Sequence, residues 1–128
     1  VSTALLTLTC LIILPYLLAA YGGVLKMRQH GKIDNRDPRQ QAERLDNYGK
    51  RVYAAQHNAW EALAVFSATL LIAYIQQVPD TLLSVASLVY LLTRVAHPLL
   101  YLKGLATLRS LDVVLGWLSC LIVIVAAL

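Results

Sequence analysis

TLLSVASLVYLLTRVAHPLLYL, residues 81–102, decides the fold of this chain. Its first thirteen residues carry no charge and suit the interior of a bilayer. Arg94, His97 and Tyr101 then follow within the same apolar run. An ionisable group at membrane depth is costly, so it faces a bundle interior and marks a functional site. At about 100° per residue, Tyr90, Arg94, His97 and Tyr101 form a stripe roughly 60° wide.

The rest of the chain repeats that pattern. Of 128 residues 59% are hydrophobic, and the mean hydropathy is +0.63. Soluble domains run at roughly 45–50% apolar. Residues 1–25, 62–79 and 113–128 are uncharged as well. Four helices are expected, over about 1–25, 48–77, 81–102 and 108–128. Val1–Leu25 would rise on the order of 37 Å, enough to cross a core of about 30 Å. It lacks the basic lead and short apolar core of a signal peptide. Pro15 and Pro98 are expected to kink their helices. The fold class is all-α: an integral membrane four-helix bundle of left-handed, up-down topology, forming one domain over residues 1–128.

The polar loop 26–47 reads KMRQHGKIDNRDPRQQAERLDN. Asp37 followed by Pro38 has the form of a helix cap and first residue, so a short surface helix is expected over 38–46. Eight of the eleven basic residues lie between Lys26 and Arg51. Such clusters beside spanning helices fix orientation and meet anionic membrane lipid, and they are no sign of nucleic-acid binding. The long loop and the Lys103 turn are therefore expected in the cytoplasm, with both termini outside.

A second polar stripe lies on the helix before residue 81. Arg51, Asn58 and Glu61 fall within roughly 80° of arc. Asn58 sits about 10 Å, and Glu61 about 15 Å, deeper than Arg51. Arg109 opens the last helix on the same side. Three helices thus place polar groups in one half of the bilayer, where lipid offers no partners. One reading is structural: Glu61 pairs with Arg51, Arg94 or His57 and locks the helices. Against it, Arg51, Arg94 and Arg109 exceed Glu61 and Asp112 in charge, and a surplus of guanidinium suits an anionic ligand.

Other features read more simply. Cys10 and Cys120 fit small buried hydrophobes. Trp60 and Trp117 fit packing or interface anchors, and Tyr16, Tyr21, Tyr48 and Tyr74 fit an aromatic belt. The histidines lack metal-ligand spacing, so no metal site is expected.

The stretch RVYAAQHNAWE, residues 51–61, with Phe66 beyond it, is similar to the second-helix signature of the MAPEG family, the membrane-associated proteins of eicosanoid and glutathione metabolism. RVAHPLLY, residues 94–101, resembles the third helix of its prostaglandin E synthases, and Leu108-Arg109-Ser110 resembles the start of its fourth helix. The resemblance spans nearly the whole chain. It implies a homotrimer, glutathione as co-substrate in a cavity between subunits, and a hydrophobic small molecule or lipid as second partner. It implies glutathione binding by Gln56, Asn58 and Glu61, the last taking the amino group, with contacts from His97, Tyr101 and Arg28. Arg51 and Arg94 join that set as the cations of the two stripes. The resemblance makes Arg109 the group that stabilises the thiolate and Ser110 a hydrogen-bond donor to sulfur. An adjacent arginine and a helix N-terminus both favour a thiolate. The expected location is a bacterial inner membrane.

The chain departs from the family at three places. Ala54 stands where many catalytic members carry an arginine that binds a glutathione carboxylate, and His57 stands where some carry another. The proline often found just before Phe66 is replaced by Ala64 and Val65. Three functions therefore stay open: a membrane glutathione transferase with or without peroxidase activity, a non-catalytic lipid- or fatty-acid-binding protein of the same family, and a scaffold whose polar stripes serve assembly.

Overall fold

The computed structural model describes residues 2–128. Four long helices dominate: α1 (Thr3–His30), α3 (Asn47–Ile75), α4 (Asp80–Leu102) and α5 (Ala106–Ala127), with the short α2 (Pro38–Glu43) in the first loop. All four are long and apolar enough to cross a membrane, which makes this a multi-pass membrane protein by length and composition. No strand occurs among the described residues.

Each long helix buries one stripe and leaves other apolar faces open. On α1 the buried set is Ala4, Thr7, Leu11, Pro15, Leu18, Gly22 and Leu25, three or four residues apart. Leu6, Ile13 and Leu17 on the other faces are exposed. In water this would be unfavourable, but a helix apolar all round is what a bilayer selects. α1 and α4 run unbroken through Pro15 and Pro98.

α1 packs mainly on α3, and α4 mainly on α5, while α4 joins the two pairs by packing on both α1 and α3. Glycine permits the closest approaches. A Cβ on Gly22 would stand 2.6 Å from the Tyr53 ring, and one on Gly116 would stand 2.7 Å from Thr93 Oγ1. One core cluster gathers Leu11, Phe66, Leu70, Leu83, Tyr90 and Val123. A smaller one, Leu18, Ala55 and Ala59, lies toward the basic end, where α3 begins and α4 ends.

Element boundaries differ from the expected ones where side chains override pattern. α1 continues five residues past Leu25 to His30, where Gly31 takes φ 76° and donates its N–H to Met27 O. Lys26 is buried within this extension. Its Nζ donates to Pro38 O at 2.9 Å and sits 4.8 Å over the Tyr53 ring. The surface helix ends at Glu43 rather than 46, because Asp46 is taken as the cap of α3: its Oδ1 accepts the Gly49 N–H at 2.8 Å. α4 begins at Asp80 and α5 at Ala106, one and two residues earlier than expected.

The polar loop is tied down rather than loose. Gln41, 2% exposed, donates Nε2 to Lys32 O and accepts the Asp34 N–H at Oε1, both at 2.8 Å. Asp34 Oδ1 accepts the N–H groups of Arg36 and Asp37 at 3.0 Å each.

Candidate functional site

The polar stripes of α3 and α4 meet a third group of side chains on α5. Arg94 is the hub and is only 4% exposed. Its Nη1 donates to Asn58 Oδ1 at 3.1 Å, its Nη2 to Asp112 Oδ2 at 3.3 Å, and its Nε to Thr93 Oγ1 at 3.3 Å. The guanidinium also lies 5.5 Å from the Tyr90 ring centre. One side chain thus ties α3, α4 and α5 together. Among the acidic partners open to Arg94, the structure selects Asp112 rather than Glu61. A buried pair of this kind exchanges desolvation against attraction and hydrogen bonds, and losing one partner is the expensive event.

Below Arg94 the α4 stripe continues to the basic end. On the other side of Arg94, away from that end, Tyr90 stacks on Phe66 with ring centres 5.2 Å apart and donates its hydroxyl to Ala62 O at 2.8 Å. His97, buried, meets Tyr101 edge to face at 5.6 Å. The Arg109 guanidinium then covers the Tyr101 ring at 4.4 Å. A cation over an aromatic face is attracted by the ring quadrupole, which holds Arg109 without consuming its N–H donors.

His97, Tyr101 and Arg109 line one open cleft of about 380 Å³ between α3, α4 and α5. Asn58 and Glu61 enter from α3, His97 and Tyr101 from α4, and Arg109 and Ser110 from α5. Ala54, His57 and Val113 complete the wall. The cleft carries both signs of charge, with the Glu61 carboxylate on α3 and the Arg109 guanidinium on α5. His57 Nε2 stands 3.8 Å from Glu61 Oε1, and both side chains are largely exposed. α5 begins at Ala106, three residues before Arg109, so the positive end of its dipole lies near that guanidinium. Such a lining suits a zwitterionic molecule with an additional anionic atom.

Six of the ten residues singled out in the sequence therefore share one cleft: Asn58, Glu61, His97, Tyr101, Arg109 and Ser110. Arg94 lies behind it and holds Asn58. Arg51 lines two adjoining clefts near the α4–α5 turn. Gln56 lies elsewhere, in a cavity of about 770 Å³ between the end of α1, α2 and α3, with Lys26, Arg39 and Trp60. Arg28 is exposed at the end of α1 and lines none of these clefts. Sequence reading did not single out Val113, whose signal was its position one turn after Arg109. It also missed Gly116, which makes room for Arg94: a Cβ there would stand 3.1 Å from Nη2. No set of metal-ligating side chains occurs among the described residues.

The model of the MAPEG family matches residues 4–128, essentially the whole chain. No curated protein matches it, and no solved structure does.

Proposed function

The chain belongs to the MAPEG family and is a membrane protein of glutathione and eicosanoid metabolism; from that premise we propose that it is a glutathione transferase acting on hydrophobic electrophiles. The observation that carries this reading is the joint lining of one cleft by Asn58, Glu61, His97, Tyr101, Arg109 and Ser110. Glutathione carries an amino group, two carboxylates and a thiol. The cleft offers a carboxylate for the first and a guanidinium for an anion, so its donor set fits.

Each side chain has a distinct task. Glu61 takes the amino group. Asn58, with its Oδ1 occupied by Arg94, is fixed so that its amide N–H₂ faces the ligand. Arg94 is a positioning residue. Glutathione supplies the nucleophilic sulfur, which is weak until ionised. Arg109 holds the thiolate, since a neighbouring cation lowers a thiol pKa. Ser110 donates a hydrogen bond to the sulfur from the adjacent position. The exposed apolar faces of α3 and α5 beside the cleft give a lipid-soluble electrophile a route from the bilayer.

The basic end of the bundle faces the cytoplasm on this account, following the distribution of Lys and Arg. The assembly is a homotrimer. Gln56 and Arg28 stand apart from the cleft of their own chain, and a neighbouring copy is needed to bring such groups to it.

Conjugation of glutathione to a hydrophobic aryl halide by the lipid-embedded protein tests the reading. Turnover by the parent that falls by about 10²-fold or more in Arg109→Ala is expected, the usual effect of removing a group that stabilises developing charge. The alternative is a lipid-binding protein without chemistry, favoured by Ala54 in the cleft wall. Stabilisation by fatty acid, with no turnover and none by glutathione, would establish that alternative.

A further inference from the structure

Two further clefts adjoin the one described, toward the α4–α5 turn. One, of about 300 Å³, is lined by Arg51, Tyr101, Gly104 and Arg109 among others. The second, of about 400 Å³, is lined by Asn47, Lys50, Arg51, Ala54 and Tyr101. Tyr101 borders all three spaces, and Ala54 and Arg109 each border the main cleft and one extension. The three adjoin around Tyr101, as a stepped groove at the basic end of the bundle. The extensions carry Lys50, Arg51 and Arg109 and no carboxylate.

Arg51 is the group whose bonding is incomplete. Its Nε is buried and has no hydrogen-bond partner, and it forms no ion pair among the described residues. The nearby Asp46 already uses Oδ1 to cap α3. Arg51 reaches across from α3 to the turn because Gly104, at φ 72°, has no Cβ; one there would stand 3.3 Å from Nη1. No carboxylate of the chain neutralises this guanidinium in the clefts it lines, so an anion meeting its terminal nitrogens there gains a charge-assisted pair. Ala54 lies three residues on, facing the same groove, and its methyl group leaves the passage to Arg51 open.

The order of charges along the groove matches one molecule. Glu61 lies at the deep end, Arg109 beside the middle, and Arg51 about 15 Å from Glu61 along α3. Glutathione presents its groups in the same order: amino group with its own carboxylate, thiol, then the glycine carboxylate. We propose that Arg51, reaching past Ala54, takes the glycine carboxylate of glutathione and so replaces the arginine that Ala54 removes. This rests on the transferase reading. It makes Arg51 a residue that selects the tripeptide over shorter thiols.

Equilibrium binding of glutathione and of γ-glutamylcysteine, which lacks the glycine, to the intact protein in nanodiscs tests it. The parent is expected to prefer glutathione by roughly tenfold or more, the effect of one charge-assisted pair. Arg51→Gln should erase the preference by weakening glutathione more than γ-glutamylcysteine, and Arg51→Gln with Ala54→Arg should restore it. Because the readout is a ratio on the same sample, partial misfolding of a variant leaves it unmoved. A preference that survives Arg51→Gln overturns the assignment and leaves the transferase reading intact. A parent that binds neither thiol overturns both.

Discussion

Arg94 and Arg109 have the same side chain and opposite tasks, and their surroundings decide which. Arg94 spends three donors on Asn58, Asp112 and Thr93. Arg109 keeps its donors and rests on Tyr101. Asp112→Ala should therefore cost about 3–5 kcal/mol, the effect of leaving one buried ion without its partner. Thermal unfolding in detergent checks it, and an unchanged midpoint would show that the pair is not coupled to folding. Arg109→Ala should cost only about 0.5–1 kcal/mol, the worth of its contact with the Tyr101 ring, while removing thiolate stabilisation. Residue type and depth placed both arginines among polar groups in the sequence. The choice of Asp112 over Glu61 depends on which faces α4 and α5 turn to each other, and that depends on Gly116, a residue with no signal in the charge pattern.

At the level of helices, close approach is set by glycine and entry by caps. Gly116→Leu would push a side chain into Thr93 and Arg94 and should separate α4 from α5. The expected destabilisation is about 1–3 kcal/mol from overpacking, with loss of glutathione binding as Asn58 comes free. Unaltered affinity in a titration of this variant would disconnect Gly116 from the site. α3 is held at its start by Asp46. The hydrogen bond from the Gly49 N–H holds this carboxyl below its ordinary 3.8. The Asp37 N–H holds Asp34 down in the same way, ahead of smaller effects from Arg36 and Arg44. Both folded values are depressed, so their stabilisation is complete above about pH 4 and is lost as pH falls further. Melting followed across pH 3–6 should show this loss in the parent and a shallower one in Asp34→Asn with Asp46→Asn; parallel curves would refute it. Helix number and type were readable because apolar runs of spanning length permit little else. The ends were not. Lys26 and Asp46 fix them through Pro38 and Gly49, partners that periodicity does not reveal.

For the whole molecule, the groove along α3 organises the rest. One flank of α3 carries Asn58 and Glu61 toward α4 and α5, and another carries Gln56 toward α1 and α2. A sequence shows stripes but not which of them share a cavity within one chain, so Gln56 and Arg28 could be grouped with Asn58 only through family resemblance. A trimer in which neighbours supply those two groups should bind one glutathione per subunit interface, as native mass spectrometry with glutathione present would report; a monomer that binds with full affinity would contradict the shared site. In the proposed reaction Arg109 and the start of α5 hold glutathione as its thiolate. The direct measurement is the ultraviolet thiolate absorbance of glutathione mixed with the purified protein near neutral pH. A signal saturating with glutathione in the parent and absent in Arg109→Ala is expected. Glutathione bound by the parent without any thiolate signal, or an equal signal in the variant, would contradict it.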